Sequence, residues 1–221
     1  MKKIIGFVLV IAIFLGIGYG VKRYVEGPPQ SANGILVIGT EKDVSKVKQE
    51  YKNKTERTVD YKVKFVVTKK GESERKYIVI NKNTAEQFIR KGIIRARKEP
   101  DSVSTISEPV HEIKDLSGSL NLFYSLDDFD MVDHHIDLNG QMIPVHYVKN
   151  QIWVGYSPMD FVILNDQTYD ELTEPDSVIT LLSLDNKFDY KDKEKVERIF
   201  ETIKKVYPDS KDKVNFVDIQ D

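Results

Sequence analysis

The chain has 221 residues, 40% of them apolar and 31% charged, with no cysteine and a formal net charge of -2. The lack of cysteine excludes a disulfide framework, a thiolate zinc site, a cysteine nucleophile and a lipid anchor built on an amino-terminal cysteine. Plentiful aromatic and branched apolar residues exclude full-length disorder, and the near-neutral balance argues against a dedicated nucleic-acid binder.

Met1 to Lys3 carry a positive cluster, and Ile4 to Val21 follow as eighteen residues without a charge. At about 1.5 Å per residue that run spans roughly 27 Å as a helix, near the thickness of a bilayer core. Residues 1–26 therefore read as a signal anchor or a signal peptide. Lys22 and Arg23 directly after the run suit an interfacial anchor better than a cleavage site, although Gly18-Tyr19-Gly20 has the small-x-small form. The expectation is a single-pass protein in the cell membrane with its large domain outside, the alternative being a domain secreted after cleavage. Gly16 and Gly20 have the G-x-x-x-G spacing that lets two membrane helices approach, which makes a homodimer through that helix a further candidate.

Residues 27–33 (GPPQSAN) read as a linker. Beyond it the pattern predicts an α+β chain of mixed-sheet, two-layer lobes built from strand-helix units and a hairpin, with helices on one sheet face. Ile35 to Ile38 is a buried strand running into a helix opened by Thr40, with Val44, Val47 and Tyr51 on one face. Thr58 to Thr68 alternates in period two, Tyr77 to Ile80 is the next strand, and a helix from Thr84 closes near Gly92 before Ile93 to Ala96 extends again. After a polar loop from Pro100 to Pro109, strands are expected over Ser119 to Leu126, Gln151 to Tyr156, Phe161 to Leu164, Val178 to Leu184 and Val214 to Ile219. A short helix starts at Thr168. An amphipathic helix from Asp192 to Tyr207 places Val196, Ile199, Phe200, Ile203 and Val206 on one stripe and stops at Pro208.

Two segments match without a gap at an offset of 84 residues, YIVINKNTAEQF (Tyr77 to Phe88) and FVILNDQTYDEL (Phe161 to Leu172). Thr84 with Gln87 and Thr168 with Glu171 have capping-box spacing. The pair is either a duplicated unit or convergence on good capping chemistry.

The stretch from Phe161 to Tyr207, with FVILNDQTYDEL, VITLLSLDNKF and DKEKVERIFETIKKVY, resembles the extracytoplasmic domains of FtsX/MacB-like ABC permeases, and Tyr77 to Phe88 is similar to the same unit. The resemblance covers about a third of the chain. One hydrophobic segment stands where a permease needs several, so it implies an ectodomain-like module on one anchor, binding a ligand or partner, with no transport path. The layout also resembles small anchored or lipid-modified surface proteins of Bacillus-type bacteria, without their lipidated cysteine.

Charge divides the chain. Residues 41–98 hold 18 basic and 8 acidic side chains, net +10, and residues 99–189 hold 3 basic and 18 acidic, net -15. A basic lobe over 34–98 and an acidic lobe over 99–221 follow. The basic one suits an anionic wall or lipid surface; alternatively the two halves face one another or solvate their own surfaces.

The sharpest chemical candidate is the hairpin 133–148 around Asn139-Gly140, the strongest short hairpin signal. Pairing Leu138 with Gln141 places Asp133, His135, Asp137 and His146 on one face, a set able to hold zinc or a similar divalent ion. Ile136, Leu138, Ile143 and Val145 take the other face, with His134 packed among them. Trp153 and Tyr156 are candidates for a ligand groove. No nucleophile elbow, phosphate-binding loop, dinucleotide fingerprint or calcium loop occurs in the exported part.

The favoured reading is thus a membrane-anchored extracytoplasmic binding module, not an enzyme, with a membrane protein such as an ABC transporter or sensor kinase as candidate partner. The alternative is a metal-binding protein or metal-dependent hydrolase centred on the hairpin.

Overall fold

The computed structural model describes residues 29–70, 73–97, 107–114, 116–125, 131–149, 152–158 and 160–220. The apolar run 4–21, with Gly16 and Gly20, lies outside them. Among the described residues no helix is long and apolar enough to cross a membrane.

The frame is an eight-stranded mixed sheet. In spatial order it holds β10 (His146–Lys149), β6 (Leu122–Ser125), β12 (Asp160–Leu164), β3 (Ser73–Asn81), β2 (Thr55–Lys70), β13 (Asp176–Asp189), β1 (Ser31–Gly39) and β14 (Val214–Val217). Only β10 with β6 and β12 with β3 pair in parallel. Two small sheets flank it, β11 (Ile152–Val154) with β4 (Ile94–Arg97) and β5 (Ser107–Pro109), and β7 (Met131–Val132) with β8 (His135–Leu138) and β9 (Gln141–Pro144). The α+β expectation is met, with more sheet than helix. The expected linker is shorter than 27–33, because Ser31 already pairs with Asp189 in β1.

Both faces of the large sheet are covered, which corrects the expectation of helices on one face. Leu36, Ile38, Ile78, Ile80, Phe161 and Ile163 point to one side, where helix α2 (Lys82–Arg90) and β4 and β11 pack. Their alternates point to the other. There Ile35, Val37 and Leu182 meet α1 (Glu41–Tyr51) and α4 (Lys193–Val206), while Tyr77, Val79, Val162 and Leu164 meet the hairpin β8–β9 and α3 (Asp166–Glu171). Strands buried on both sides read as continuous apolar runs, which is why Ile35 to Ile38 and Phe161 to Leu164 show no alternation. β6 is shorter than predicted and interior, so all four of its residues are buried, and Leu120 before it stays exposed.

The segments 34–98 and 99–221 share this one sheet: β3 of the first pairs with β12 of the second, and β2 with β13. Opposite charges meet across those seams. Lys64 and Lys62 lie 3.4 and 3.7 Å from Asp176, and Arg75 lies 4.0 Å from Asp160.

Candidate functional site

The hairpin turns at Asn139 and Gly140, whose φ angles of 56° and 87° are those of the turn that Asn-Gly favours. Leu138 faces Gln141 and His135 faces Pro144, in the predicted register. At both ends the chain then departs from it. Asp133 and His134 take left-handed backbone, φ 48° and 63°, in the turn between β7 and β8, and His134 is exposed instead of packed. Val145 donates its N–H to the His134 carbonyl at 2.9 Å, and His146 crosses into the large sheet beside Leu122. His135 and Asp137 therefore share the outer face of β8, while Asp133 and His146 leave it. His135 Nδ1 donates to the Asp133 carbonyl at 2.7 Å, and Asp137 accepts the Gly140 N–H at 2.6 Å, so both are used in shaping turns. Asp133, His134 and His146 border one shallow depression. Among the described residues no three His, Asp or Glu side chains come together to hold a metal ion.

A different place gathers functional groups. The large sheet curls, so that Leu36 and Ile38 of β1 and Ile78 of β3 line one cavity of about 390 Å³ although β2 and β13 lie between them. Val154 completes the apolar floor, and Asn215 and Ser157 supply polar wall. Charged side chains ring the mouth. Lys76 binds Asp212 at 3.1 Å and Glu74 at 3.4 Å, and Arg75 lies by Asp160. The hydrogen bond to Asp212 holds the Lys76 ammonium above the usual lysine value. Lys213 sits over the ring of Tyr207, 5.4 Å from its centre, and 6.0 Å from that of Phe65. Asp212 has left-handed backbone, φ 60°, in the turn that delivers both residues to the mouth.

Asn215 locks one wall. Its amide donates to the Val154 carbonyl at 2.6 Å and the Ser157 carbonyl at 2.9 Å, and its oxygen accepts from the N–H groups of Tyr156 and Ser157. Trp153 and Tyr156 are buried beside that wall and do not line the cavity. Tyr156 instead donates to the Ser31 carbonyl, stacks on Tyr190 and carries the Arg95 guanidinium over its ring at 4.5 Å. Burial lowers the Arg95 pKa and pushes the Tyr156 phenol up to about 12. The mouth residues had no motif to announce them, since Lys76 and Asp212 are 136 positions apart and only the strand order joins them.

The fold has a counterpart in the crystal structure of a Bacillus anthracis protein described as a lipoprotein, with a TM-score of 0.59 and 21% identity over 86% of this chain and all of that one. At that identity the likeness concerns the fold. The periplasmic region of MacB from Actinobacillus actinomycetemcomitans aligns over 84% of this chain and 88% of its own at 9% identity, with a TM-score of 0.24, too low to support the permease resemblance. No curated protein matches the chain. Residues 32–220, from the first strand to beyond the last, match the model of an uncharacterised lipoprotein family, and the chain belongs to that family.

Proposed function

We propose that this protein is a surface-anchored extracytoplasmic module that binds a ligand or partner in the mouth of the curled sheet. With no cysteine in the chain, a thioether-linked lipid has no point of attachment, and the uncharged run 4–21 takes its place as the anchor. The observation that carries the binding reading is the cavity itself. An apolar floor under a ring of charged side chains, in a volume near 390 Å³, is the usual form of a small-ligand site. It lies at the far end of β1 from Ser31, roughly 25 Å from where the chain enters the domain.

The test uses the dye anilinonaphthalene sulfonate on the full chain in detergent. Above the dye that detergent and other apolar surface take up in parent and variant alike, one saturable component is expected, falling about tenfold or more in Ser157→Trp, which puts a large ring into the cavity from an exposed position. Binding unchanged by that substitution would place the dye elsewhere and sink the reading. A phosphatase fused to the carboxyl end, active only after export, should be active; an inactive fusion would overturn the topology.

A further inference from the structure

We infer that a groove beside the chain's entry point is the surface with which the domain rests on an anionic phospholipid bilayer, an inference that depends on the anchor reading above. The groove encloses about 590 Å³ between the last turn of α1, the end of β13 and the first half of α4. Tyr51, Leu184, Phe188 and Ile199 form its apolar side. Lys54, Lys195 and Arg198 stand over it, with Asp185 as the lining carboxylate. Lys54 lies 5.2 Å from the centre of the Tyr51 ring and Lys195 lies 6.0 Å from that of Phe188. Cations lying along aromatic and aliphatic surface, heads outward, are the arrangement that suits the layer between lipid phosphate and acyl chain.

Chain geometry supplies the second argument. Phe188, a wall of the groove, pairs with Ala32 of β1. One residue on, Asp189 accepts the Gln30 N–H at 2.9 Å, and the Tyr190 N–H donates to the Gln30 carbonyl at 2.7 Å. The point at which the polypeptide enters the fold is thus fixed beside the groove. Only Lys22 to Pro28, seven residues, separate the uncharged run from Pro29, and seven residues reach at most about 25 Å. A tether that short keeps the groove close to the headgroups and makes their encounter intramolecular. Glu50 and Glu194 hold Lys54 and Arg198 only loosely, at 3.7 and 4.0 Å on open surface, so lipid phosphate displaces them at little cost. Among the described residues Lys195 has no carboxylate within ion-pair distance of its ammonium.

The absence of cysteine makes the test clean. The full chain carrying Asn186→Cys, labelled in the groove with a fluorophore, is reconstituted into vesicles containing a nitroxide-headgroup lipid. A second sample carries the label at Asp209→Cys, in the exposed turn at the other end of the strands. In phosphatidylglycerol vesicles the groove label should be quenched and the Asp209→Cys label should not. Quenching should fall steeply in phosphatidylcholine vesicles. It should fall again in phosphatidylglycerol with Lys54→Gln, Lys195→Gln and Arg198→Gln combined, the ratio of seated to lifted domains dropping about tenfold or more. The combined variant should melt as the parent does, since all three positions are exposed. Equal quenching in both lipids, indifference to the three substitutions, or equal quenching at both label positions overturns the inference. A chain that fails to float with the vesicles overturns the anchor reading instead.

Discussion

At the scale of single residues, the mouth depends on Asn215 more than on any charged group around it. Its amide ties the segment 154–157 to the edge of the sheet through four bonds, and Gly155 makes the approach possible. A Cβ at Gly155 would lie 2.7 Å from the Asn215 side chain and 2.8 Å from the Phe216 carbonyl, at a φ of 76°. Asn215→Ala should cost about 2–3 kcal/mol, read as a lower urea midpoint, because backbone groups of the wall lose their partners. The tyrosines set the alkaline limit. Burial pushes Tyr51 and Tyr156 from 10.0 up to about 12. Below about pH 10 both phenols are neutral whether folded or not, and their contribution is fully present. As pH rises from there towards 12 the unfolded chain releases protons that the fold retains, so stability declines across that window. Urea midpoints measured at rising alkaline pH should show this decline, and Tyr156→Phe should make it shallower.

At the scale of elements, the helix starts show what one residue of phase does. Asn81 and Asn165, not the threonines three places on, are the N-caps: each side-chain oxygen accepts an N–H, from Thr84 and Thr168, at 2.9 Å. The capping-box reading correctly found the position of each helix but named the wrong residue, because threonine at the third helical position leaves the same mark in sequence. At the first helix Thr40 does fill the cap, accepting from the Asp43 N–H. Asn81→Ala and Asn165→Ala should each cost about 1 kcal/mol, and Thr84→Ala much less, by thermal melts of the three variants. The two matched segments lie side by side as parallel strands, yet they pair with Tyr77 opposite Asp160 and Ile78 opposite Phe161. Residues matched at an offset of 84 therefore point to opposite faces: Tyr77 inward with Val79 on one side, Phe161 with Ile163 on the other. The residue before each cap, Ile80 or Leu164, decides which face the helix takes, so α2 and α3 pack on opposite sides. The two segments thus share one capping device while sending their helices to opposite faces of the sheet.

At the scale of the whole molecule, the elements themselves were legible because hydrophobic period and caps are local signals. Asp192 opening α4, the Asn-Gly turn and the apolar strands all lie where their own neighbours dictate. Strand order is not local. Charge asymmetry suggested two lobes, but basic β2 and β3 are flanked by acidic partners β13 and β12 in one sheet, where complementary sign joins the halves. Asp133 and His146 leave the face of His135 and Asp137 for a related reason, since Val145 hands the chain from hairpin to large sheet and no periodicity marks such a crossing. The same strand order built the mouth from residues 36–38, 76–78 and 212–215, which no motif search could join.

β1 lies between β13 and β14, with Ile35 facing Leu182 on one side and Phe216 on the other. The first strand to be made therefore waits for almost the entire chain before either neighbour exists. Folding dominated by such distant pairings is slow, and β1 stays incompletely paired until β13 and β14 have both been made. The sheet is complete only with its last strand, so a chain stopped before Val214 would leave β1 with one open edge, ready to pair with another chain.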